Sequence, residues 1–301
     1  FYMQKFNNFS IYIFKVFLSV LVLTYLLNQI DFEQLVENLN KFSLVDLMLP
    51  VILYILAHFL NSIKLNVIIK DRSLSEIARF TFIALFYGTA LPGQILGDAV
   101  KAYSLIRPND NVAEIISIVF FDKITGLFSL TFLTVLGLVL MPEEISPIFM
   151  VLSLVLLVIL TLIVFFSNTL FILLQRIFSN IKINKNFLYS KNLSLKNIFI
   201  SIVLGFCFQV ISVLIIIIFG HTLGIEISIF CWFSITGLLS IVLILPISLA
   251  GIGIRELTLI TLLGFVGVPS SEAFILSILL LFLTLFGALI GFILSISDYK
   301  T

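Results

Sequence analysis

The chain has 301 residues, of which 61% are hydrophobic and only 11% are charged, and its formal net charge is +1. Because a water-soluble domain carries about 25% charged residues, this composition excludes a soluble globular protein and indicates an integral membrane protein. The small net charge gives no reason to expect nucleic acid as a partner. Two cysteines, without a CxxC motif or paired histidines, predict neither a disulfide nor a metal site.

Apolar segments recur along the whole chain. A bilayer core about 30 Å thick needs about 20 apolar residues in a helix. In chain order, this rule predicts six full transmembrane helices over residues 10–29, 47–69, 112–141, 146–167, 197–220 and 271–297. The segment 31–46 is too polar to cross, but its apolar residues recur at helical spacing, so we expect it to lie in the outer membrane interface.

Two further apolar regions, 76–106 and 230–267, are each broken near the middle by proline and glycine. Each half is too short to cross the bilayer alone. Interrupted helices at membrane depth are tolerated only where protein or a water-filled cavity covers the freed backbone groups. We therefore predict two re-entrant helix pairs inside one all-α membrane domain, 1–301, with discontinuous helices as the alternative.

The distribution of basic residues predicts the orientation. The connection 168–196 carries five lysines and arginines and no acid, and 64–79 is also rich in basic residues, so both should be cytoplasmic. By contrast, 31–46 has one lysine against four acids. These features predict a multi-pass protein of the cell membrane with both termini in the cytoplasm. The first interrupted pair would then open to the cytoplasmic face and the second to the outer face.

The two interruptions resemble each other. They read LPGQILGDAVK (91–101) and LPISLAGIGIRE (245–256), and each has Leu-Pro, then a glycine five residues after the proline, then acidic and basic groups. Entering from opposite faces, the two pairs would form an inverted-topology repeat. Transporters commonly place their substrate near the midplane between such broken helices. The alternative is a coincidental likeness between two kinked segments.

The charges at these breaks predict an anion site. A helix that starts after Gly97 or Gly253 would point unpaired N–H groups and a positive dipole end inward, which suits a phosphate or carboxylate. Lys101 and Arg255 add full positive charges. The predicted substrate-binding set is Lys64, Pro92, Gly93, Gly97, Asp98, Lys101, Asp122, Lys123, Pro246, Gly251, Gly253, Arg255 and Glu256.

Charged side chains inside the predicted spans must be paired or face a polar cavity, because each costs roughly 2.5–3.5 kcal/mol at mid-bilayer. Asp98 and Lys101 are three residues apart and can share a helix face. A purely structural salt-bridge cluster is the alternative to a binding site. His58 and Asn61 form a polar stripe on the second span, and a proton relay through His58 is a further hypothesis.

These motifs resemble the lysylphosphatidylglycerol synthase transmembrane-region family, the flippase-like part of multiple-peptide-resistance proteins. That family shows a P-G-x-x-G-[DE]-x-x-[RK] pattern followed by a basic residue in the next span, here Lys123, and a later P-x-x-x-G-G-x-G-x-x-E-like pattern. Two features depart from it: Ala250 replaces one glycine of the usual pair, and the last span lacks an arginine often found there. The resemblance implies handling of an anionic lipid, either an aminoacylated phospholipid or a polyprenyl-phosphate-linked sugar.

Three functions fit the sequence. The first is a flippase that moves an anionic lipid between leaflets, with the head-group phosphate between the broken helices. The second is a membrane-embedded transferase acting on a lipid head group, and the third is a non-transporting partner of a glycosyltransferase. We expect no enzymatic activity, because the aminoacyl-transferase domain of the synthase relatives does not follow this region, and no cofactor or metal. Expected partners are membrane lipids, a glycosyltransferase or aminoacyltransferase, and a second copy in a homo-oligomer.

Overall fold

The computed structural model describes residues 24, 37, 41–69, 71–90, 94–141, 147–177, 194–245, 247–248 and 250–298. These residues form helices joined by turns and loops, without strands, which confirms the expected all-α class. The helices are α1 (Leu44–Ile68), α2 (Leu74–Ala90), α3 (Gln94–Ser104), α4 (Val112–Leu140), α5 (Pro147–Ile177), α6 (Leu195–Thr222), α7 (Ile229–Ile244), α8 (Ile254–Gly264) and α9 (Ser270–Asp298).

Helices long and apolar enough to cross a membrane cover five of the predicted spans: α1, α4, α5, α6 and α9. The predicted span 10–29 and most of the interfacial segment 31–46 lie outside the described residues. Two boundaries differ from the prediction. Helix α1 begins at Leu44, within the expected interfacial segment, and α5 continues to Ile177, ten residues into the expected loop 168–196. No proline or glycine interrupts 168–177, so nothing in that sequence ends the helix.

Serine side chains fix the starts of three helices. The Ser43 hydroxyl accepts from the Asp46 amide while the Asp46 carboxylate accepts from the Ser43 amide at 2.9 Å, a reciprocal capping box at the start of α1. Ser194 and Ser228 cap α6 and α7 in the simpler one-way manner. Such caps satisfy backbone N–H groups that have no partner inside the helix.

The first interrupted pair is a helical hairpin. Helices α2 and α3 contain 17 and 11 residues, and α3 packs back along α2, with Gly97 against the backbone of Ala84 and Gly88. Its two outer ends meet, because Arg107, just after α3, contacts Glu76 in the first turn of α2 at 2.7 Å. The hairpin therefore begins and ends at the same end of the molecule.

The second interrupted pair has almost the same dimensions, with 16 residues in α7 and 11 in α8. Its break contains left-handed backbone at Ala250 (φ 54°), Gly251 (φ 79°) and Gly253 (φ 84°). Trp232 near the start of α7 and Leu263 near the end of α8 belong to one buried core cluster. Helices α7 and α8 also pack against each other.

The long helices pack around the two hairpins. Helix α1 packs against α6, α2 against α9, and α4 against α7. Helix α4 also packs against α6 through small polar residues: Thr125 and Ser201 lie 3.2 Å apart through their hydroxyl groups, and Ser129 donates to the Ile202 carbonyl. Apolar side chains instead face outward, as along α5, where Val151, Val155 and Val158 are more than half exposed. This inside-out pattern is expected when lipid is the solvent.

Candidate functional site

A cavity of about 390 Å³ lies between the two interrupted pairs. Its lining comes from α1, α2, α3, α4, α6 and α7, from the break between α7 and α8, and from Ile254 of α8 and Thr284 of α9. The charged side chains of its lining are Lys64, Asp98, Lys101, Asp122 and Lys123. The cavity therefore brings together charged residues that are up to 59 positions apart in sequence, between Lys64 and Lys123.

These five charged groups form one alternating chain of ion pairs, which we call the ion chain. Lys123 Nζ lies 3.0 Å from Asp98 Oδ2, and Asp98 Oδ1 lies 3.3 Å from Lys101 Nζ. Lys101 Nζ continues to Asp122 Oδ2 at 3.7 Å, and Asp122 Oδ1 reaches Lys64 Nζ at 3.2 Å. The expected pairing of Asp98 with Lys101 is present, while the other three contacts are set by the packing of α1, α3 and α4.

The ion chain carries an excess of one positive charge, because three lysines face two aspartates. Three of its five members are buried: Lys64 and Lys101 are 3% exposed and Asp122 is 2% exposed. Lys123 is the most open, with 35% of its side chain exposed. A buried excess charge is unfavourable without a counter-ion.

Glycine makes room for the Lys64 end of the ion chain. Lys64 Nζ donates to the Asp122 carbonyl at 2.7 Å in addition to its ion pair. A Cβ at Gly126, one turn further along α4, would lie 3.1 Å from the same nitrogen. A side chain at residue 126 would therefore crowd the ammonium group, which would have to move by a few tenths of an ångström.

The charges of the second break are used differently. The Glu256 carboxylate accepts from the Gly253 amide at 2.5 Å and so caps the start of α8. Arg255 Nη2 donates to the Ala250 carbonyl at 3.2 Å and to the Thr284 hydroxyl at 3.3 Å. Its Nη1 is buried and has no hydrogen-bond partner among the described residues. Ala250 and Thr284 line the cavity, so Arg255 lies directly behind the cavity wall.

The predicted helix starts need one correction. Helix α3 begins at Gln94, so Gly97 lies inside its first turn, against α2, rather than before the helix. Gly253 does precede α8 as expected, but Glu256 occupies that helix terminus. The N-terminal dipole of α8 therefore already has a negative partner in the protein. Pro92, Gly93 and Pro246 lie outside the described residues.

The polar stripe of α1 faces the cavity. His58, Asn61 and Lys64 all line it, whereas Ser62 is buried and donates to the His58 carbonyl. The His58 ring packs against Tyr54 and Phe208, with centroids 4.5 and 5.7 Å away. A role of His58 as a proton relay stays a prediction.

Sequence reasoning missed the contribution of α6 to the wall. Gly205, Gln209 and Ser212 line the cavity. Their spacing of four and three residues places them on one face of the helix, and Gln209 interrupts an otherwise apolar predicted span. That amide within a span was the signal that could have identified this face. No group of three or more potential metal ligands occurs among the described residues.

The chain matches the family described as the lysylphosphatidylglycerol synthase TM region over residues 12–291. Because the match covers nearly the whole chain, the protein belongs to this family, as the two motifs indicated. No similar protein of curated function and no similar solved structure was found. The family is defined by a membrane region of lipid-modifying synthases. The evidence for the activity of this chain is the cavity and its charged residues.

Proposed function

We propose that the protein is a lipid flippase: it binds the phosphate of an anionic lipid head group in the cavity and moves that head group between the two leaflets. The observation that carries this proposal is the excess positive charge of the ion chain inside a membrane cavity. The acyl or polyprenyl chains of such a lipid would remain in the bilayer. We place the protein in the cell membrane, with both termini in the cytoplasm.

The open end of the ion chain supports phosphate binding. Lys101 contacts two carboxylates, so its positive charge is largely balanced by negative charges within the protein. Lys123 contacts one carboxylate and is partly exposed to the cavity. Phosphate is a strong acceptor for charge-assisted hydrogen bonds from lysine. Arg255, whose Nη1 has no hydrogen-bond partner in the described part of the chain, lies behind the cavity wall and adds positive potential from the second break.

The arrangement of the helices supports alternating access. The helix lengths of 17, 11 and 29 residues in α2, α3 and α4 are matched by 16, 11 and 29 in α7, α8 and α9. Moreover, α2 packs against α9 just as α7 packs against α4. We propose that the two units are inverted repeats whose interrupted helices are re-entrant from opposite faces. Rocking of one repeat against the other could then open the cavity to each leaflet in turn.

Transport rather than catalysis fits the carboxylates of the cavity. Asp98 and Asp122 each contact two lysines, so neither is held as a free general acid or base. We therefore propose that this membrane region does not itself transfer groups to the lipid. A partner enzyme that builds the head group, of the glycosyltransferase or aminoacyltransferase kind, would supply the substrate.

The test is leaflet exchange by the purified protein in liposomes. Anionic lipids labelled with a fluorophore on an acyl chain are reconstituted, and dithionite quenching reports how fast label leaves the inner leaflet. We expect exchange above protein-free liposomes and a marked loss in Lys123→Gln. Lys196→Gln is the matched control, because Lys196 is an exposed lysine in the first turn of α6, away from the lining. Absence of exchange for every anionic lipid in the panel would overturn the proposal.

A further inference from the structure

In the described part of the chain, the cavity offers a cationic head group no carboxylate that is free of a lysine partner. Among the described lining residues, Asp98 and Asp122 are the acids, and both lie within 3.7 Å of two lysines. Glu256 is engaged by the start of α8. A lysyl group attached to a phospholipid would bring two ammonium groups next to three lysine ammonium groups. Like charges placed side by side inside an interface are strongly disfavoured.

The rest of the polar wall is neutral and offers both hydrogen-bond acceptors and hydrogen-bond donors. The hydroxyls of Thr89, Ser212 and Ser240 line the cavity, and each donates its proton to a carbonyl one helical turn earlier. A hydroxyl whose proton is engaged in this way still offers lone pairs. The amides of Asn61 and Gln209 add further donors and acceptors to the same wall. This combination matches the hydroxyl groups of a ligand.

Three buried polar atoms of the lining have no hydrogen-bond partner in the part of the chain that the structure describes. Asp122 Oδ1 has its ion pair with Lys64, whereas His58 Nδ1 and Thr81 Oγ1 have no polar partner there. Buried polar groups in proteins are almost always hydrogen-bonded, so both point to a ligand that supplies the missing bonds. Tyr54 and Phe208 flank His58 with their rings and also line the cavity. Such faces pack against the C–H groups of a glycerol or sugar.

We infer that the substrate is an anionic lipid whose head group bears hydroxyl groups and no ammonium group. The phosphate lies at Lys123, and the hydroxyl-bearing part of the head group lies along the wall formed by His58, Asn61, Gln209 and Ser212. This inference rests on the proposed function and narrows its substrate class. Two sources share this chemistry, a glycerol phospholipid and a polyprenyl-phosphate-linked sugar.

The experiment compares three fluorescent lipids in the same liposome assay: phosphatidylglycerol, its lysyl ester, and a polyprenyl-phosphate-linked hexose. Phosphatidylglycerol and its lysyl ester can carry identical acyl chains and differ only in the lysyl group. We expect the lysyl ester to be exchanged at least about tenfold more slowly than the better of the two hydroxyl-bearing lipids. Whichever of those two is exchanged faster identifies the source.

A second variant tests the charge argument within one protein. Gln209→Glu adds a carboxylate to the wall, and this carboxylate can pair with an ammonium group of the lysyl ester. The ratio of the exchange rate of the hydroxyl-bearing lipid to that of the lysyl ester should therefore fall at least about threefold. Gln209→Leu is the matched control and should slow the hydroxyl-bearing lipid without favouring the lysyl ester. Ser212→Asp, one turn further on the same face, makes the same test if Gln209→Glu does not fold.

The outcomes separate the two proposals. Exchange of the lysyl ester as fast as phosphatidylglycerol and the hexose lipid would overturn the inference and leave the flippase proposal standing. Exchange of no lipid would overturn the flippase proposal and the inference with it. Discrimination against the lysyl ester that Gln209→Glu relieves supports both.

Discussion

The α2–α3 pair and the α7–α8 pair invite direct comparison. They have 17 and 11 residues against 16 and 11, and each contains Leu-Pro followed by a glycine five residues after the proline, Gly97 in one and Gly251 in the other. The glycines nevertheless act differently. Gly97 lies inside a helix and allows close contact with the α2 backbone. Gly251 instead has a φ of 79°, a backbone conformation that residues with a Cβ rarely adopt.

Their charges differ in the same way. In the first pair, Asp98 and Lys101 join the ion chain with residues of α1 and α4. In the second, Arg255 and Glu256 contact their own break, at Ala250 and Gly253, together with the Thr284 hydroxyl. The same sequence motif can therefore interrupt a helix in two places. The surrounding helices then determine whether the charged residues of the motif line the cavity or stabilise the backbone of the break.

The largest expected effect comes from breaking the ion chain at Asp122. Asp122→Asn removes the carboxylate that contacts both Lys64 and Lys101. Lys64 would then be a buried charge without a counter-ion, which costs about 3–5 kcal/mol. Thermal unfolding in detergent, followed by size-exclusion chromatography, should show a clear loss of stability. The double change Lys64→Met with Asp122→Leu should be milder, because no charge at that end is left unpaired. A single mutant as stable as the parent would contradict the role of the ion chain.

The next effect separates the two pairs by function. Lys123→Gln should weaken anionic-lipid affinity about 10- to 150-fold, because a charge-assisted contact contributes roughly 1.5–3 kcal/mol. Arg255→Gln should weaken it by less than about tenfold, since Arg255 already donates within the protein and lies behind the wall. Affinity is measured by lipid titration of purified, folded variants. Equal losses in both would mean that the two breaks hold the anion symmetrically.

The glycines give an intermediate effect on stability. Gly97→Ala should cost about 1–3 kcal/mol as overpacking, because the new Cβ would meet backbone atoms of α2 that cannot move aside. Gly251→Ala should cost about 1–2 kcal/mol through its left-handed backbone. A Leu243→Ala background frees the space beside residue 251. In that background Gly251→Ala should still lower the stability. If the loss of stability disappears, the contact with Leu243 and not the positive φ is the reason that residue 251 is glycine.

The smallest expected effect is a gain. Ala250 has a φ of 54°, an unfavourable conformation for a residue with a Cβ. Ala250→Gly should therefore stabilise the protein by about 0.5–1 kcal/mol, partly offset by the greater freedom of glycine in the unfolded chain. The melting temperature in detergent measures this. Ala90→Gly, at the end of α2, is the control and should show no gain.

The sequence by itself determined the membrane class, the all-helical fold and the positions of both interruptions. The physical reason is local: apolar length predicts a span and proline with glycine predicts a break, whatever the partner helix is. The family followed from the same two motifs. The pairing of Asp98 with Lys101 was also predictable, because residues three apart on a helix are neighbours.

Only the tertiary structure decided which charges meet across helices. Lys123 contacts Asp98, and Lys64 contacts Asp122, because α1, α3 and α4 converge on one cavity. The spacing of these residues along the sequence does not predict either contact. The same holds for Gly97, whose need to be small arises from α2, and for Gln209, whose wall position arises from the rotation of α6 toward the cavity. Helical periodicity gives the face of each helix, but the packing of all of them decides what that face contacts.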